Sequence, residues 1–456
     1  MRRTRESQAV RPPAFTYSYG NGALPRPAGR SGSVRSAASA DRVAELYCES
    51  VSLEKLAARH GTPLYLYSTA MIRARLDAFA RAFHSIPHTL CYSVKANSTL
   101  AILRLVAGQG AGFDVVSGGE LQRVLRVKRA AAGKVVFSGV GKTAAEMELA
   151  LRSGILLFNI EGASELNLLA ATASRLKKQA AIAVRVNPDV SAKTHPYIST
   201  GLHQHKFGVP IPEAKTLYAQ AALLPSLRVA GVSVHIGSQI TDVDSFREAL
   251  ERVAHLVAVL RRQGHDIRYI DAGGGLGISY NDEGAQKNAG FEKQIAAYAR
   301  AVLGPLRELK LQLLLEPGRS IVGAAGVLLT RVLYRKTNRR KRFLIVDAAM
   351  NDLLRPSLYG AYHEIVPVHP KSRETEITDV VGPICETGDF FARDRELPRV
   401  GEGDLLAILD AGAYGSVLGS NYNTRGRAAE VLVDGANAKV IRRRESFENQ
   451  LRMENF

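Results

Sequence analysis

A short apolar run that ends in a single lysine occurs at Leu90-Cys91-Tyr92-Ser93-Val94-Lys95-Ala96-Asn97. Leu90, Tyr92 and Val94 alternate with smaller or polar residues, a pattern typical of a half-buried strand. The pattern places Lys95 at the C-terminal end of the predicted strand. A lysine enclosed by strand ends can lose its charge, and a neutral amine can form a Schiff base with an aldehyde. A surface lysine that ends a strand fits this stretch equally well.

Working outward, seven more short apolar runs follow, with helical stretches between them. Eight such β units over roughly 230 residues predict a (β/α)₈ TIM-type barrel, and an open doubly wound sheet is the competing architecture. The eight runs are 90–95, 112–117, 134–139, 155–161, 181–188, 232–237, 267–273 and 311–319.

A barrel carries its active site at the C-terminal ends of its strands, and the polar residues of these runs cluster there. They are Lys95, Asp114, Ser117, Ser138, Asn159, Glu161, Arg185, Asn187, His235, Ser238, Asp271, Glu316 and Arg319.

Beyond residue 321 the helical periodicity fades, and β-rich segments with turn signals predict a second, mostly β domain. The expected domains are therefore a barrel at 68–320 and a β domain built from 45–67 and 321–456. The basic run at 335–342 fits the solvated tip of a hairpin. Residues 1–44 are rich in Arg, Ser, Gly and Pro, so we expect a disordered basic extension. An organellar transit peptide, a mis-assigned start or an insertion would also fit.

Composition limits the classes of function. Hydrophobic residues make up 46% of the 456 residues, and no apolar run approaches the roughly 18 residues of a membrane span, which predicts a soluble protein. The three cysteines are too few for a disulfide framework and favour a reducing, cytoplasmic location. The net charge of +18 could indicate a nucleic-acid partner, but the basic runs contain no interleaved aromatic residues, so we expect none.

Three strand ends carry chemistry. The glycine-rich stretch 273–277 ends the seventh run, where barrels often bind phosphate, although a tight turn alone would also need it. His235 can stack on an aromatic ring or be a satisfied core residue. Glu316 and Arg319 can hold a heterocycle nitrogen and an anion, or simply pair with each other. With Lys95, these parts together describe a pyridoxal phosphate site.

The chain resembles the diaminopimelate decarboxylases, a family of barrel-type (fold type III) pyridoxal phosphate decarboxylases, from about Leu46 to its C-terminal region. The motifs that carry the resemblance are Tyr-Ser-Val-Lys-Ala-Asn (92–97), His-Lys-Phe-Gly (205–208), His-Ile-Gly-Ser-Gln (235–239), Gly-Gly-Gly-Leu-Gly (273–277), Glu-Pro-Gly-Arg (316–319), Asn-Asp-Leu-Leu-Arg-Pro (351–356), Gly-Pro-Ile-Cys-Glu-Thr-Gly-Asp (382–389) and Gly-Ala-Tyr-Gly (412–415).

The resemblance implies decarboxylation of meso-2,6-diaminopimelate to L-lysine and carbon dioxide, the last step of lysine biosynthesis, by a homodimer with shared active sites. It implies that Lys95 is the Schiff-base lysine and that Cys385 donates a proton across the dimer interface. No metal ligands are implied. The implied cofactor contacts are Lys95, Asp114, His235, Ser238, Gly275, Glu316, Pro317, Gly318, Arg319 and Tyr414. The implied substrate contacts are Arg319, Arg355, Tyr359, Glu386 and Tyr414.

Departures from the family pattern are small: Thr387 replaces the usual Ser, and Ala349 replaces Gly in Asp-Ala-Gly. Phe15 to Leu24 resembles the family's first strand, which resumes only at Glu45. A decarboxylase for ornithine, arginine or carboxynorspermidine is one alternative, although the arginines at 319 and 355 argue against the simple diamino acids. A non-catalytic pyridoxal phosphate carrier is another, but a carrier does not need the β domain with Cys385, Glu386 and Tyr414.

Overall fold

The computed structural model describes residues 14–19, 44–190, 206–280 and 290–455, and these form two compact units. One unit comprises the described residues of Met1–Ile72, Tyr280–Glu283 and Gly323–Phe456, and the other those of Arg73–Ser279 and Gly284–Val322. In the described part of the chain, no helix is long and apolar enough to span a membrane. Most of the predicted extension 1–44, and His205 of the 205–208 motif, lie outside the described residues.

The elements that precede the barrel strands are β1 Phe15–Tyr19, β2 Ala44–Cys48, β3 Val51–Ser52, α1 Leu53–His60, β4 Leu64–Ser68 and α2 Thr69–Ala82. The strands of the barrel unit are β5 His88–Ser93, β6 Gly112–Val115, β7 Val135–Phe137, β8 Leu157–Ile160, β9 Ala180–Asn187, β10 Val209–Pro210, β11 Leu227–Val234, β12 Tyr269–Asp271 and β13 Gln312–Leu315. Its further helices are α3 Leu100–Gly108, α4 Gly118–Val127, α5 Ala144–Ser153, α6 Ala163–Arg175, α7 Ile211–Ala222, α8 Asp244–Arg262, α9 Gly290–Leu303 and α10 Arg319–Val322.

Eight parallel strands close into a barrel in the order β5-β6-β7-β8-β9-β11-β12-β13, and β13 pairs with β5. This confirms the predicted (β/α)₈ architecture and excludes the open sheet. The short β10 pairs only with β9, outside the ring. The strand expected to end at Lys95 stops two residues earlier: β5 ends at Ser93, and Val94–Ala96 forms a single 3₁₀ turn that contains Lys95.

Caps set where the barrel helices begin and end. Ser117 Oγ accepts the N–H of Glu120 at 3.2 Å and begins α4, so this strand-end serine serves the helix rather than the barrel mouth. Thr143 and Glu146 form a capping box at the start of α5, and Gly154, with φ of +70°, ends that helix in the left-handed region.

The barrel interior is layered. An apolar layer takes one residue from each of six strands: Cys91, Val136, Leu157, Ala183, Ala230 and Leu314. Because side chains two residues apart share a face of a strand, the next layer toward the C-terminal ends holds Ser93, Ser138, Asn159 and Glu316. These four side chains are polar and buried, and they form a polar layer beneath the barrel mouth, called the polar floor below.

The elements after the barrel are β14 Gly326–Asn338, β15 Lys341–Val346, α11 Arg355–Tyr359, β16 Ile365–Pro367, β17 Thr375–Val381, β18 Phe390–Pro398, β19 Leu405–Ile408, β20 Ala429–Asp434, β21 Asn437–Arg442 and α12 Phe447–Leu451. A long sheet runs β18-β17-β15-β14-β4-β20-β21, and β19 joins β14 to β16. The unit that contains Gly323–Phe456 is thus mostly β, as predicted. The basic run is a hairpin tip, because Asn338 pairs with Lys341 across it.

The start of the chain contributes to this β unit. β1 pairs antiparallel with β2, and Phe15 is buried in the same core as Leu46. A strand at Phe15–Tyr19 differs from the disorder expected for the extension, because its alternating aromatic residues can bury one face. The core also contains residues of α1, β4, β14, β16, β19 and β20, such as Leu66, Leu329 and Val431.

Candidate active site

Lys95 lies at the mouth of the barrel beside a buried acid. Its Nζ forms an ion pair with Oδ2 of Asp114, which lies on the neighbouring strand β6. The lysine side chain is 34% exposed, whereas that of Asp114 is fully buried. The ion pair therefore holds the amine in place, and the exposed part of the lysine side chain is open to a ligand at the barrel mouth.

Ser93 connects this ion pair to the last barrel strand. Its Oγ lies 2.9 Å from Asp114 Oδ2 and 3.0 Å from the carbonyl oxygen of Glu316, and its N–H donates to the carbonyl of Pro317. A Cβ on Gly318 would lie 2.9 Å from Ser93 Cβ, so a side chain at 318 would push the two strand ends apart. The turn at 316–319 is in this way packed directly against the lysine-bearing strand.

A hydrogen-bond network covers the polar floor. Asn159 Nδ2 donates to Ser138 Oγ at 3.0 Å and to Asp271 Oδ2 at 2.6 Å, and Ser138 Oγ donates to Glu316 Oε1 at 3.2 Å. Asp271 also accepts from Ser233 Oγ and from the N–H of Gly273. Residues on or directly after five of the eight strands, β7, β8, β11, β12 and β13, therefore meet in one network.

Two buried carboxyls in this network, those of Glu316 and Asp271, are hydrogen-bonded to each other. Burial, followed by the nearby charges of Asp114 and Asp271, raises the pKa of Glu316 well above its ordinary value. Burial also raises the pKa of Asp271, but its hydrogen bonds from Asn159 and Gly273 favour the ionised form. The hydrogen bond between the two carboxyls also raises the pKa of Glu316 and opposes the rise at Asp271.

His235 lies at the end of β11 as a neutral ring. Burial, followed by the charges of Arg185 and Lys95, lowers its pKa well below the ordinary value. Its Nδ1 accepts the N–H of Gly274 at 3.1 Å, so the proton of the neutral ring is on Nε2. An uncharged imidazole with a flat face suits stacking on an aromatic ligand.

The glycine loop after β12 needs its glycines. Gly275 has φ of +104°, and a Cβ there would lie 2.4 Å from the carbonyl oxygen of Gly237. Within the described residues, the N–H groups of Gly275 and Leu276 donate no hydrogen bond to the protein. Adjacent N–H groups of this kind form a concave site for an anion.

A cation and a hydroxyl lie on the same side of the unit as this loop. Arg319 Nη2 donates to Ser238 Oγ at 3.2 Å, and only 7% of Arg319 is exposed. An aldehyde-reactive amine, a neutral ring, backbone donors, a serine hydroxyl and an arginine form the donor set that pyridoxal phosphate requires. Asp114 Oδ1 is buried without a hydrogen-bond partner in the described chain, which leaves acceptor capacity beside the amine.

In the β unit, the expected substrate arginine is buried and firmly oriented. Arg355 Nη1 donates to His363 Nε2 at 2.7 Å, and its guanidinium lies 4.5 Å from the centre of the Tyr280 ring. His363 Nδ1 in turn donates to the carbonyl of Leu409 at 2.7 Å, which fixes the tautomer that accepts from Arg355. Tyr359, half-buried, ends the short helix α11 that begins at Arg355.

Cys385 and Glu386 form an exposed turn of the β unit. The buried Asp389 holds the turn by accepting the N–H groups of Ile384 and Met350, each at 2.7 Å, while Asn423 Oδ1 accepts the N–H of Cys385. The thiol and the carboxylate therefore lie on a well-supported turn at the surface of the chain. The other two cysteines, Cys48 and Cys91, are buried.

Tyr414 has φ of +54°, a left-handed conformation that is unusual for a tyrosine. Gly415 beside it is closely packed, because a Cβ there would lie 2.5 Å from the carbonyl of Ala411. Backbone strain at a polar aromatic residue is a feature of functional sites.

The sequence-predicted cofactor residues of the barrel therefore come together, and the remaining predicted residues group in the β unit. Sequence reasoning missed Ser93, Ser233 and His363. For Ser93 a signal was available, since it precedes Lys95 by two positions and shares the inward face of β5 with Cys91. Nothing in the sequence pairs His363 with Arg355.

Comparison with known proteins agrees with this geometry. The model of the family "pyridoxal-dependent decarboxylase, pyridoxal binding domain" matches residues 69–323. Diaminopimelate decarboxylase of Pseudomonas aeruginosa is 53% identical over 89% of this chain and 96% of its own length. The crystal structure of diaminopimelate decarboxylase from Helicobacter pylori complexed with L-lysine is 43% identical, with a TM-score of 0.83 over 88% of this chain and 98% of that one.

A second similar structure is that of diaminopimelate decarboxylase from M. jannaschii in co-complex with L-lysine, which is 37% identical with a TM-score of 0.84 over 90% of this chain and 96% of that one. These matches extend over both units of the chain. The chain therefore belongs to the diaminopimelate decarboxylase family of pyridoxal-dependent decarboxylases.

Proposed function

We propose that this protein catalyses the pyridoxal phosphate-dependent decarboxylation of meso-2,6-diaminopimelate to L-lysine and carbon dioxide, the last step of lysine biosynthesis. The observation that carries the proposal is the Lys95–Asp114 ion pair at the mouth of the barrel, above a buried acid network, in a chain of this family. An isolated surface lysine would have no buried carboxylate to hold it.

The barrel residues hold the cofactor. The amine of Lys95 would hold the cofactor at its aldehyde group, and the neutral ring of His235 would lie against its aromatic ring. Ser238, Arg319 and the backbone N–H groups at Gly275 take the phosphate, together with the turn at Pro317 and Gly318. Burial raises the pKa of Glu316, so its carboxyl could share a proton with the ring nitrogen. Bound there, the cofactor draws electrons from the substrate carbon that loses carbon dioxide.

The substrate is a diacid with an amino group at each end, and the β unit supplies matching charges. Arg355, with Arg319, takes carboxylate, and Glu386 takes the ammonium remote from the cofactor. Tyr359 and Tyr414 contact the substrate. Cys385 delivers the proton that replaces the departing carboxylate, which its exposed thiol supports.

The active enzyme in this proposal is a homodimer in which Cys385 and Glu386 of one subunit complete the site of the other. Their exposure on a supported turn agrees with that role. The proposed domains are the barrel at 68–320 and the β domain at 45–67 and 321–456. Three free cysteines, two of them buried, support a cytoplasmic location.

The proposal is tested with the purified protein. Addition of pyridoxal phosphate should give a visible absorbance band, and borohydride reduction should remove the band and attach the cofactor to Lys95. The same preparation should release carbon dioxide from meso-diaminopimelate. A protein that binds the cofactor at another lysine, or that releases no carbon dioxide from any diamino acid, would refute the proposal.

A further inference from the structure

Lys142 is a fully buried lysine that the cofactor and substrate roles do not use. Its Nζ donates to the carbonyl oxygens of Gly139 and Asn159, each at 2.7 Å, and to Glu165 Oε1 at 2.6 Å. The side chain of Lys142 is fully buried, and that of Glu165 is 12% exposed. An ammonium has three N–H groups, so all of its hydrogen-bonding capacity is used inside the protein.

The two carbonyls belong to the ends of neighbouring barrel strands. β7 and β8 pair at only two positions, Val136 with Leu157 and Phe137 with Phe158. The residues that follow directly are Ser138 and Asn159, whose side chains form part of the polar floor. Lys142 therefore joins the two strands at the point where their pairing stops.

The direction of the Asn159 side chain matters for the network beneath the cofactor. Both N–H groups of its amide are used, one on Ser138 Oγ and one on Asp271 Oδ2. Ser138 Oγ in turn donates a hydrogen bond to Glu316 Oε1. A change in the spacing of the two strand ends would weaken these bonds together, because the amide cannot follow both acceptors.

We propose that Lys142 is a positioning residue, which holds the ends of β7 and β8 so that Asn159 and Ser138 fix the Glu316–Asp271 pair toward the cofactor ring. The inference rests on the proposed function, since it assigns Lys142 an effect on the site that Glu316 forms. The competing explanation is that Lys142 and Glu165 are an ion pair that stabilises the fold and nothing more.

The main variant for the test is Lys142→Met combined with Glu165→Leu. It removes both buried charges at once, and such replacements by apolar residues usually leave a protein folded. Glu165→Gln is the matched control, because its amide oxygen can still accept from Lys142 and the two carbonyl bonds remain. Asn159→Ala removes the next step of the network alone.

Three readouts separate positioning from stability: the thermal midpoint, the dissociation constant of pyridoxal phosphate, and the pH dependence of the absorbance of the bound cofactor. We expect the Lys142→Met/Glu165→Leu variant to shift the pH titration of the cofactor band and to raise the dissociation constant about tenfold. Glu165→Gln should change only the thermal midpoint. Adding Asn159→Ala to the double variant should cause little further loss, because residues that act through one another are not additive.

Two results would overturn the inference: a lower thermal midpoint with unchanged cofactor affinity and pH titration, or effects of the Lys142 and Asn159 changes that multiply as for independent sites. Failure of the proposed function would look different, since the wild-type protein would then show no cofactor band.

Discussion

At the scale of single residues, the site depends on buried charges that hold each other in place. Lys95 is fixed by Asp114, Asp114 by Ser93, and Glu316 by Ser138 and Asp271. Each link joins side chains from different strands, so one substitution changes the electrostatics of its neighbours. Variants at this site therefore need controls that keep the charge while removing the chemistry.

Lys95 offers such a pair of variants. Lys95→Arg keeps a cation beside the buried Asp114 but cannot bind the cofactor aldehyde, whereas Lys95→Ala also leaves that carboxylate without its counter-charge. Both should lower turnover by more than about a thousandfold, and the alanine variant should also be less stable. Steady-state assays and thermal denaturation of the two variants make the check. If the Lys95→Arg variant kept the absorbance band that borohydride removes, Lys95 would not be the lysine that binds the cofactor.

At the scale of elements, the glycine loop after β12 gives a geometric prediction. Gly275→Ala forces an L side chain into φ of +104° and into the carbonyl of Gly237, whereas Gly110→Ala, at φ of +78°, meets no atom within 4 Å. The Gly110 variant should lose about 1 kcal/mol from backbone strain alone. Gly275→Ala should lose more and should bind pyridoxal phosphate more weakly. Equal losses of stability with unchanged cofactor affinity would show that the loop is only a turn.

The turn before α11 gives a pH prediction. Burial is the main cause that raises the pKa of Asp352 from 3.8 to about 7, and its carboxylate accepts the N–H of Ala349. Because the folded state holds the proton more tightly than the unfolded chain, the stability from this group is complete below pH 3.8 and falls as the pH rises to about 7.

An Asp352→Asn variant lacks this titration. The free energy of unfolding of the variant minus that of the wild type should therefore increase by about 3 kcal/mol as the pH rises from 5 to 8. Urea denaturation of both proteins at several pH values measures the difference. A difference that is constant with pH would show that Asp352 stays ionised throughout.

Much at the element scale was predictable, because the barrel strands are short apolar runs that end in polar residues. Three strands of the β unit lack the sequence pattern on which a strand prediction rests. β18 contains Arg393, Asp394, Arg395 and Glu396, β21 is largely exposed, and β16 has only three residues, so none shows a clear apolar period. The contact of Asn159 with Asp271 across the barrel depends on closure of the ring, and that of Lys142 with Glu165 depends on the pairing of β7 with β8. No local sequence pattern encodes either contact.

At the scale of the whole molecule, the proposal requires two chains, because Cys385 and Glu386 are assigned to the partner's site. Inactive Lys95→Ala and Cys385→Ala subunits should therefore complement each other when they are mixed. A mixed dimer has one site with both residues intact, so random assortment should restore about a quarter of wild-type activity. Sedimentation of the mixture confirms that dimers form. Verified mixed dimers without activity would place both residues in the site of one chain.

The central claim is that this molecule removes carbon dioxide from a substrate with two amino acid heads. The most direct measurement is carbon dioxide release from meso-diaminopimelate, L-lysine and L-ornithine by the wild type and by Arg355→Ala. Unpairing a buried ion costs about 3 to 5 kcal/mol, and each 1.4 kcal/mol is a factor of ten. The wild type should therefore prefer meso-diaminopimelate by at least about a hundredfold in kcat/KM, and Arg355→Ala should lose most of that preference. A wild type that prefers ornithine, or an Arg355→Ala variant with an unchanged preference, would contradict the assignment.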